Sequence, residues 1–129
     1  MKAQDLVIIG LDATSNQDRI FSAYNDSQGV TEAFYRNGLD HANTILGYEA
    51  FRQDKWAVKG EYVKQANKHQ ASYVALEDVT IENTKIKKGE ELPFEHAHKF
   101  VDAESDRLWH NAGLVSKAVY SDATGNHRM

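Results

Sequence analysis

The sequence predicts an α+β fold: an antiparallel sheet with helices, flanked by strands of an incomplete α/β sheet. Three observations carry this expectation. Residues 6–11 are apolar apart from one glycine and show no alternation, the pattern of a strand covered on both faces. From Trp56 to Phe100 the chain alternates with a period of two, broken by polar turns. Around that stretch, apolar residues recur at helical spacing.

The elements follow in order. Residues 6–11 form the opening strand, and residues 12–16 lie at its carboxyl end, where open parallel sheets place ligands. Ser15 or Asn16 caps a helix to about Tyr24, with Ile20, Phe21 and Tyr24 on one face. Asn25-Asp26-Ser27 interrupts it, Asp26 or Ser27 capping the next helix over residues 29–46. That helix turns Val30, Ala33, Phe34, Ala42, Ile45 and Leu46 to one side and stops at Gly47, with room for one more turn over residues 48–51.

Beyond Trp56, Val58, Gly60 and Tyr62 share a strand face with Trp56 itself, and Ala71, Tyr73 and Ala75 alternate likewise after the polar turn at 64–68. Residues 80–86 and 91–100 pair around Lys87-Lys88-Gly89-Glu90, which makes a sheet of about four strands. Pro93 belongs at an edge or a bulge. Asp102 caps a helix to about Ala112, with Leu108, Trp109 and Ala112 inward and Gly113 as its stop; residues 114–120 form a closing strand. The strand at each end has no neighbour in sequence to pair with, so the two read as pieces of a larger sheet around an inserted unit.

Composition narrows the function classes. A chain of 129 residues makes one compact domain by length, and 41% hydrophobic with 26% charged residues is the balance of a globular protein. With 15 Lys+Arg against 19 Asp+Glu there is no basic stripe for phosphates, so no nucleic-acid partner is expected. The apolar runs are too short for a membrane span, and the start Met1-Lys2-Ala3-Gln4-Asp5 lacks a leader's apolar core. Zero cysteines exclude disulfides and thiolate chemistry and agree with a cytoplasmic location.

The densest chemical cluster is Phe94-Glu95-His96-Ala97-His98-Lys99-Phe100. On a strand, His96 and His98 project to one face and Glu95, Ala97 and Lys99 to the other. We read the two histidines as exposed on the sheet surface. The alternative is a His-x-His metal site with Glu104 as a third ligand, in a small metal protein. Glu95, between two phenylalanines and facing inward, needs a partner: Lys99 within the chain, or a ligand bearing an N–H group. Tyr24 either punctuates two helices or places its hydroxyl in a pocket between layers. His41, His69, His110 and His127 stand in polar contexts and read as surface residues.

Several segments in fixed order carry a resemblance. They are Leu6-Val7-Ile8-Ile9-Gly10-Leu11-Asp12, Ala23-Tyr24-Asn25-Asp26, Gly29-Val30-Thr31-x-x-Phe34-x-x-Asn37-x-Leu39, Gly89-Glu90-Glu91 and Glu95-x-x-x-Lys99-Phe100. Together they resemble the C-terminal part of histidine-specific, S-adenosylmethionine (SAM)-dependent N-methyltransferases. These are the ergothioneine-type enzymes and, more closely, the fungal branch that includes dimethylallyltryptophan N-methyltransferases of ergot-alkaloid pathways.

The resemblance implies a Rossmann-like domain with an α+β substrate domain inserted late. Residues 1–24 would then be a late strand and helix of the methyltransferase sheet, 25–100 the substrate-binding unit, and 101–129 the returning helix and closing strand. It further implies that Tyr24 meets the carboxylate end of an amino-acid substrate and that Glu95 reads its side chain. Ala97 stands where the family has a serine, so a larger or less polar side chain than imidazole is expected. The family's glycine-rich cofactor loop, ribose-binding acid and amine-holding asparagine match nothing in these residues. The chain is therefore expected to be a fragment, a truncated product or a repurposed binding module. It should hold no SAM alone, be incompetent for methyl transfer alone, and form a homo-oligomer or pair with a complementing methyltransferase partner.

Overall fold

A computed structural model describes residues 5–129; the opening residues 1–4, part of the expected leaderless start, lie outside the described residues. The element order is β1 (Leu11–Asp12), α1 (Gln17–Tyr24), α2 (Val30–Leu46), β2 (Trp56–Val63), β3 (Lys68–Ala75), β4 (Val79–Ile81), β5 (Thr84–Ile86), β6 (Glu91–His98), α3 (Asp102–Asn111) and β7 (His127–Arg128). The fold is α+β, with antiparallel pairing throughout.

The central sheet has three strands in the order β2-β3-β6. The expected fourth strand is absent from it because β4 and β5 form their own hairpin, and β6 pairs with β3 instead of with residues 80–86. The alternation holds as read. Trp56, Val58, Gly60 and Tyr62 stand opposite Ala75, Tyr73, Ala71 and His69 on the face that α1 and α2 cover. Leu39, Trp56, Tyr73, Ala75, Val79 and Ile86 form the core there, with Phe51, Val58, Ile81 and Leu92 packed around it. On the other face, Lys59 bridges Glu61 and Glu91.

Local chemistry sets the element ends. Asn16 caps α1 by accepting the Arg19 amide at 2.9 Å. Gly29 occupies the N-cap of α2, and the Asp26 carboxylate accepts from Val30 N (2.9 Å) and Thr31 N (2.8 Å). These bonds, the Thr31 amide first, hold the Asp26 carboxyl down at about 2. Gly47 ends α2 in the left-handed conformation. The extra helical turn expected over 48–51 does not form, because the Asn43 side chain pins Phe51 by accepting its N–H (2.7 Å) and donating to its carbonyl (2.9 Å).

The packed face of α2 differs from the expected one. Tyr35 and Leu39 are buried, whereas Val30, Phe34, Ile45 and Leu46 are exposed, Phe34 at 65%. The helix carries two apolar stripes, and the sheet takes the one whose tyrosine hydroxyl can reach Glu95. Phe21 on α1 is exposed as well. In α3 the N-cap position is Val101, one residue before the expected Asp102, and Leu108 is exposed.

Residues 5–10 and 114–119 have no regular secondary structure. The strands expected there are not formed: Leu6, Ile8 and Val115 each remain 79% exposed. A strand needs a hydrogen-bonding neighbour, and the tail provides one only at the end of each run, where Leu11 and Asp12 pair with β7 and Tyr120 exchanges backbone bonds with Met129. It folds back through a turn at Asp122, which accepts from Asn126 N and His127 N, and β7 then pairs with β1.

Pro93 lies on the edge strand β6 and next to a bulge. Tyr73 pairs with Leu92 and Ser72 with Pro93, but Ala71 pairs with Glu95, so Phe94 is the extra residue. Phe94 stacks on Tyr73 (4.1 Å between centroids) and meets Tyr35 edge-on (5.1 Å).

Candidate functional site

After the bulge, β6 turns Glu95, Ala97 and Lys99 toward the helices and leaves His96 and His98 exposed. The two histidine rings lie 6.5 Å apart, edge to face. Among the described residues no group of three or more His, Cys, Asp or Glu is placed to hold a metal ion, so the His96/His98/Glu104 alternative has no geometric support.

Glu95 does not pair with Lys99. Its Oε1 accepts from the Tyr35 hydroxyl at 2.9 Å. Burial first, then the Glu95 carboxylate beside it, push the Tyr35 phenol well up, so the phenol stays protonated and donates.

Lys99 is 2% exposed and serves another partner set. Its Nζ donates to Asp12 Oδ2 at 2.7 Å and to the Tyr24 hydroxyl at 2.9 Å. Burial disfavours the ammonium, but these hydrogen bonds outweigh it and the pKa rises, so Lys99 is charged. The backbone around it is fixed from two sides. Lys99 N donates to Asn67 O (2.8 Å) and its carbonyl accepts from Asn67 Nδ2 (2.6 Å), while Phe100 N donates to Asp12 O (2.8 Å). Asp12 also accepts the Thr14 amide, so the first turn after β1 reaches the end of β6.

Beside this cluster lies a cavity of about 170 Å³ lined by Asp12, Arg19, Tyr24, Lys99 and His127 among others. Tyr24 lines this cavity, and its hydroxyl accepts from Lys99 beside it. On its wall Lys99 is already paired with the Asp12 carboxylate, and Arg19 and the Tyr24 phenol are the further donors that could meet an anionic group such as a carboxylate.

The residue that sequence reading missed is His69. It is 1% exposed, not a surface residue, and stacks on the Tyr24 ring with 3.8 Å between centroids and 8° between planes. It is the cross-strand partner of Ala97, and the next inward pair along β3 is Ala71 with Glu95. Tyr24 of α1 thus stacks over the sheet face that carries His69, Ala97 and Glu95, while the cavity beside Tyr24 is lined by neither Ala97 nor Glu95. Burial lowers the His69 pKa; the charges facing it are Glu95, which opposes the shift, and Lys99, which adds to it. The signal was available: stepping back two residues from Ala71 along its own alternation lands on His69. The other three histidines outside the cluster, His41, His110 and His127, are exposed as expected.

Comparison with known proteins gives this geometry a context. The profile of a family described as histidine-specific, SAM-dependent methyltransferases matches residues 1–129. Ergothioneine biosynthesis protein 1 of Neurospora crassa is 39% identical over 97% of this chain, which covers 15% of that protein. N-methyltransferase imqF of Aspergillus flavus is 27% identical over 94% of the chain, covering 34% of the relative. The 4-dimethylallyltryptophan N-methyltransferase easF of Aspergillus fumigatus is 27% identical over 92%, covering 37%. The chain thus spans little more than a third, at most, of the length of these relatives.

The family is SAM-dependent. The cavity beside Tyr24, at about 170 Å³, is smaller than the roughly 300–1,000 Å³ usual for ligands of that size, and an open hollow of about 490 Å³ lies next to it, with Asp12 on the wall of both. The match over the whole length nonetheless decides descent: the chain belongs to the family of histidine-specific, SAM-dependent methyltransferases.

Proposed function

We propose that this chain supplies the amino-acid-binding portion of a SAM-dependent N-methyltransferase acting on a histidine- or prenyl-tryptophan-type substrate. In this reading residues 25–100 are the substrate unit, and 1–24 and 101–129 belong to a Rossmann-like sheet completed by other parts of a methyltransferase. Tyr24 meets the substrate carboxylate, Glu95 accepts an N–H from its side chain, and Ala97 makes room for a ring larger than imidazole. The observation that carries the reading is that Tyr24 of α1 stacks on His69, whose cross-strand partner is Ala97, on the same sheet face as Glu95. Methyl transfer needs a fixed, desolvated amine, and a rigid carboxylate anchor contributes that alignment. The cysteine-free composition suits a cytoplasmic enzyme.

Calorimetric titration with L-histidine and L-tryptophan tests the assignment. Glu95→Gln should weaken binding of the preferred ligand, and His96→Ala/His98→Ala should leave it unchanged. Binding lost only in the histidine double variant, or no binding by the unmodified chain, overturns it.

A second reading, a non-catalytic binding or oligomerising module, is favoured by the exposed apolar side chains of residues 6–8, Val115 and Val119. Self-association, or pairing with a complementing methyltransferase chain, would cover them; the oligomeric state is its test.

A further inference from the structure

We propose that His69 is a positioning residue, a flat platform that fixes the Tyr24 ring so that its hydroxyl stays on Lys99. The inference rests on the reading of Tyr24 as a carboxylate anchor, and its test separates the two.

Three observations support it. First, the rings lie face to face at 3.8 Å and 8°, with the imidazole sealed from solvent. Second, neither ring nitrogen of His69 has a hydrogen-bond partner among the described residues. A buried imidazole normally earns its place through such bonds; this one is held by packing alone. Third, the strand opposite is cut away to admit it. A Cβ at Gly60 would lie 2.8 Å from His69 Nε2, closer than real contacts allow. Glycine inside a strand weakens it, so the space serves the ring.

Desolvation lowers the His69 pKa; Glu95 opposes that shift and the Lys99 ammonium adds to it. What the ring does supply is a wall. Tyr24 ends α1, where the helix gives way to Asn25, so its side chain needs support from the sheet. Without the platform, the phenol is free to leave Lys99, and the donor pair facing the cavity is lost.

The test is an aromatic NMR study of the 129-residue chain. In the unmodified protein, where Lys99 Nζ lies 4.7 Å from the Tyr24 ring centroid, nuclear Overhauser contacts should join that ring to the Lys99 ε-methylene. His69→Ala should abolish them while the Trp56 indole and Ile86 methyl signals, deep in the core, stay in place. His69→Phe, flat but unable to carry a proton, should restore them. Should His69→Ala fail to fold, Gly60→Ala drives a methyl into the ring and should produce the same loss. Affinity for L-tryptophan or L-histidine should fall about threefold to tenfold in His69→Ala and recover in His69→Phe, the worth of one aromatic stack. Contacts retained in His69→Ala, or lost in His69→Phe with the core intact, overturn the proposal. Contacts that behave as expected in a chain binding neither amino acid leave the platform standing and remove the carboxylate-anchor reading instead.

Discussion

The middle of the chain and its two ends contain the same kinds of apolar residue and treat them differently. In the middle, Trp56, Leu39 and Ile86 are buried against one another under two helices. At the ends, Leu6, Ile8 and Val115 face solvent although their sequence pattern is that of a buried strand. Apolar runs state a demand for a partner, and the hydrophobic effect acts only where one is supplied. The middle supplies its own through hairpins and a local helix. Among the described residues the ends meet in the two-residue pairing of β1 with β7 and in the Ala13 N–H bond to the Asn126 carbonyl.

The sharpest way to break this contrast is to truncate one residue on each side. Trp56→Ala should lower the unfolding free energy in urea by about 3–5 kcal/mol, the cost of a large cavity. Ile8→Ser should change it by less than about 0.5 kcal/mol and instead lower the mass measured by light scattering. A large loss of stability for Ile8→Ser would mean that the ends are packed in solution.

Tyr24 sits on the seam between the two regions, since Lys99 ties it to Asp12 at the foot of the opening run. Tyr24→Phe keeps the stack on His69 and deletes the hydroxyl from a buried ammonium. A loss of about 1–3 kcal/mol in the same urea assay is expected. No loss would mean that Asp12 alone satisfies Lys99.

The smallest effect concerns protons. The folded pKa of His69 lies below its unfolded value of about 6.5. Its contribution is therefore complete above that pH and is lost as pH falls toward the folded pKa, because the unfolded chain then binds the extra proton. The slope cannot exceed about 1.4 kcal/mol per pH unit. Comparing urea midpoints at pH 8 and pH 5.5, His69→Phe should flatten the dependence relative to the parent. An equal dependence in both would place the titrating group elsewhere.

Much of the middle was legible because its signals are local. Alternation placed Trp56, Val58, Gly60 and Tyr62 on one face, Asn16 and Gly47 marked helix ends, and Glu95 was read as facing inward with the histidines outward. What failed depends on choices between distant elements. The two stripes of α2 look alike in sequence, and contacts across the fold select one: Tyr35 reaches Glu95 and Leu39 packs with Trp56 and Tyr73. Local sequence offers Lys99 the carboxylate four residues away as one of two alternatives for Glu95, whereas the carboxylate Lys99 meets lies 87 residues off. His69 was judged by its polar neighbours rather than by its strand phase.

The single extra residue at Phe94 acts on this chain as a change of phase. Ahead of it, even-numbered side chains of β6 face the helices, as Leu92 does; beyond it, odd-numbered ones do. Were Phe94 instead to pair with Ala71 and abolish the bulge, the register downstream would slip by one residue and invert. The imidazoles of His96 and His98 would turn under the helices, and the carboxylate and ammonium would pass to the open face. Two chemically unrelated surfaces are thus encoded back to back in one strand, and the bulge chooses which of them is the interior.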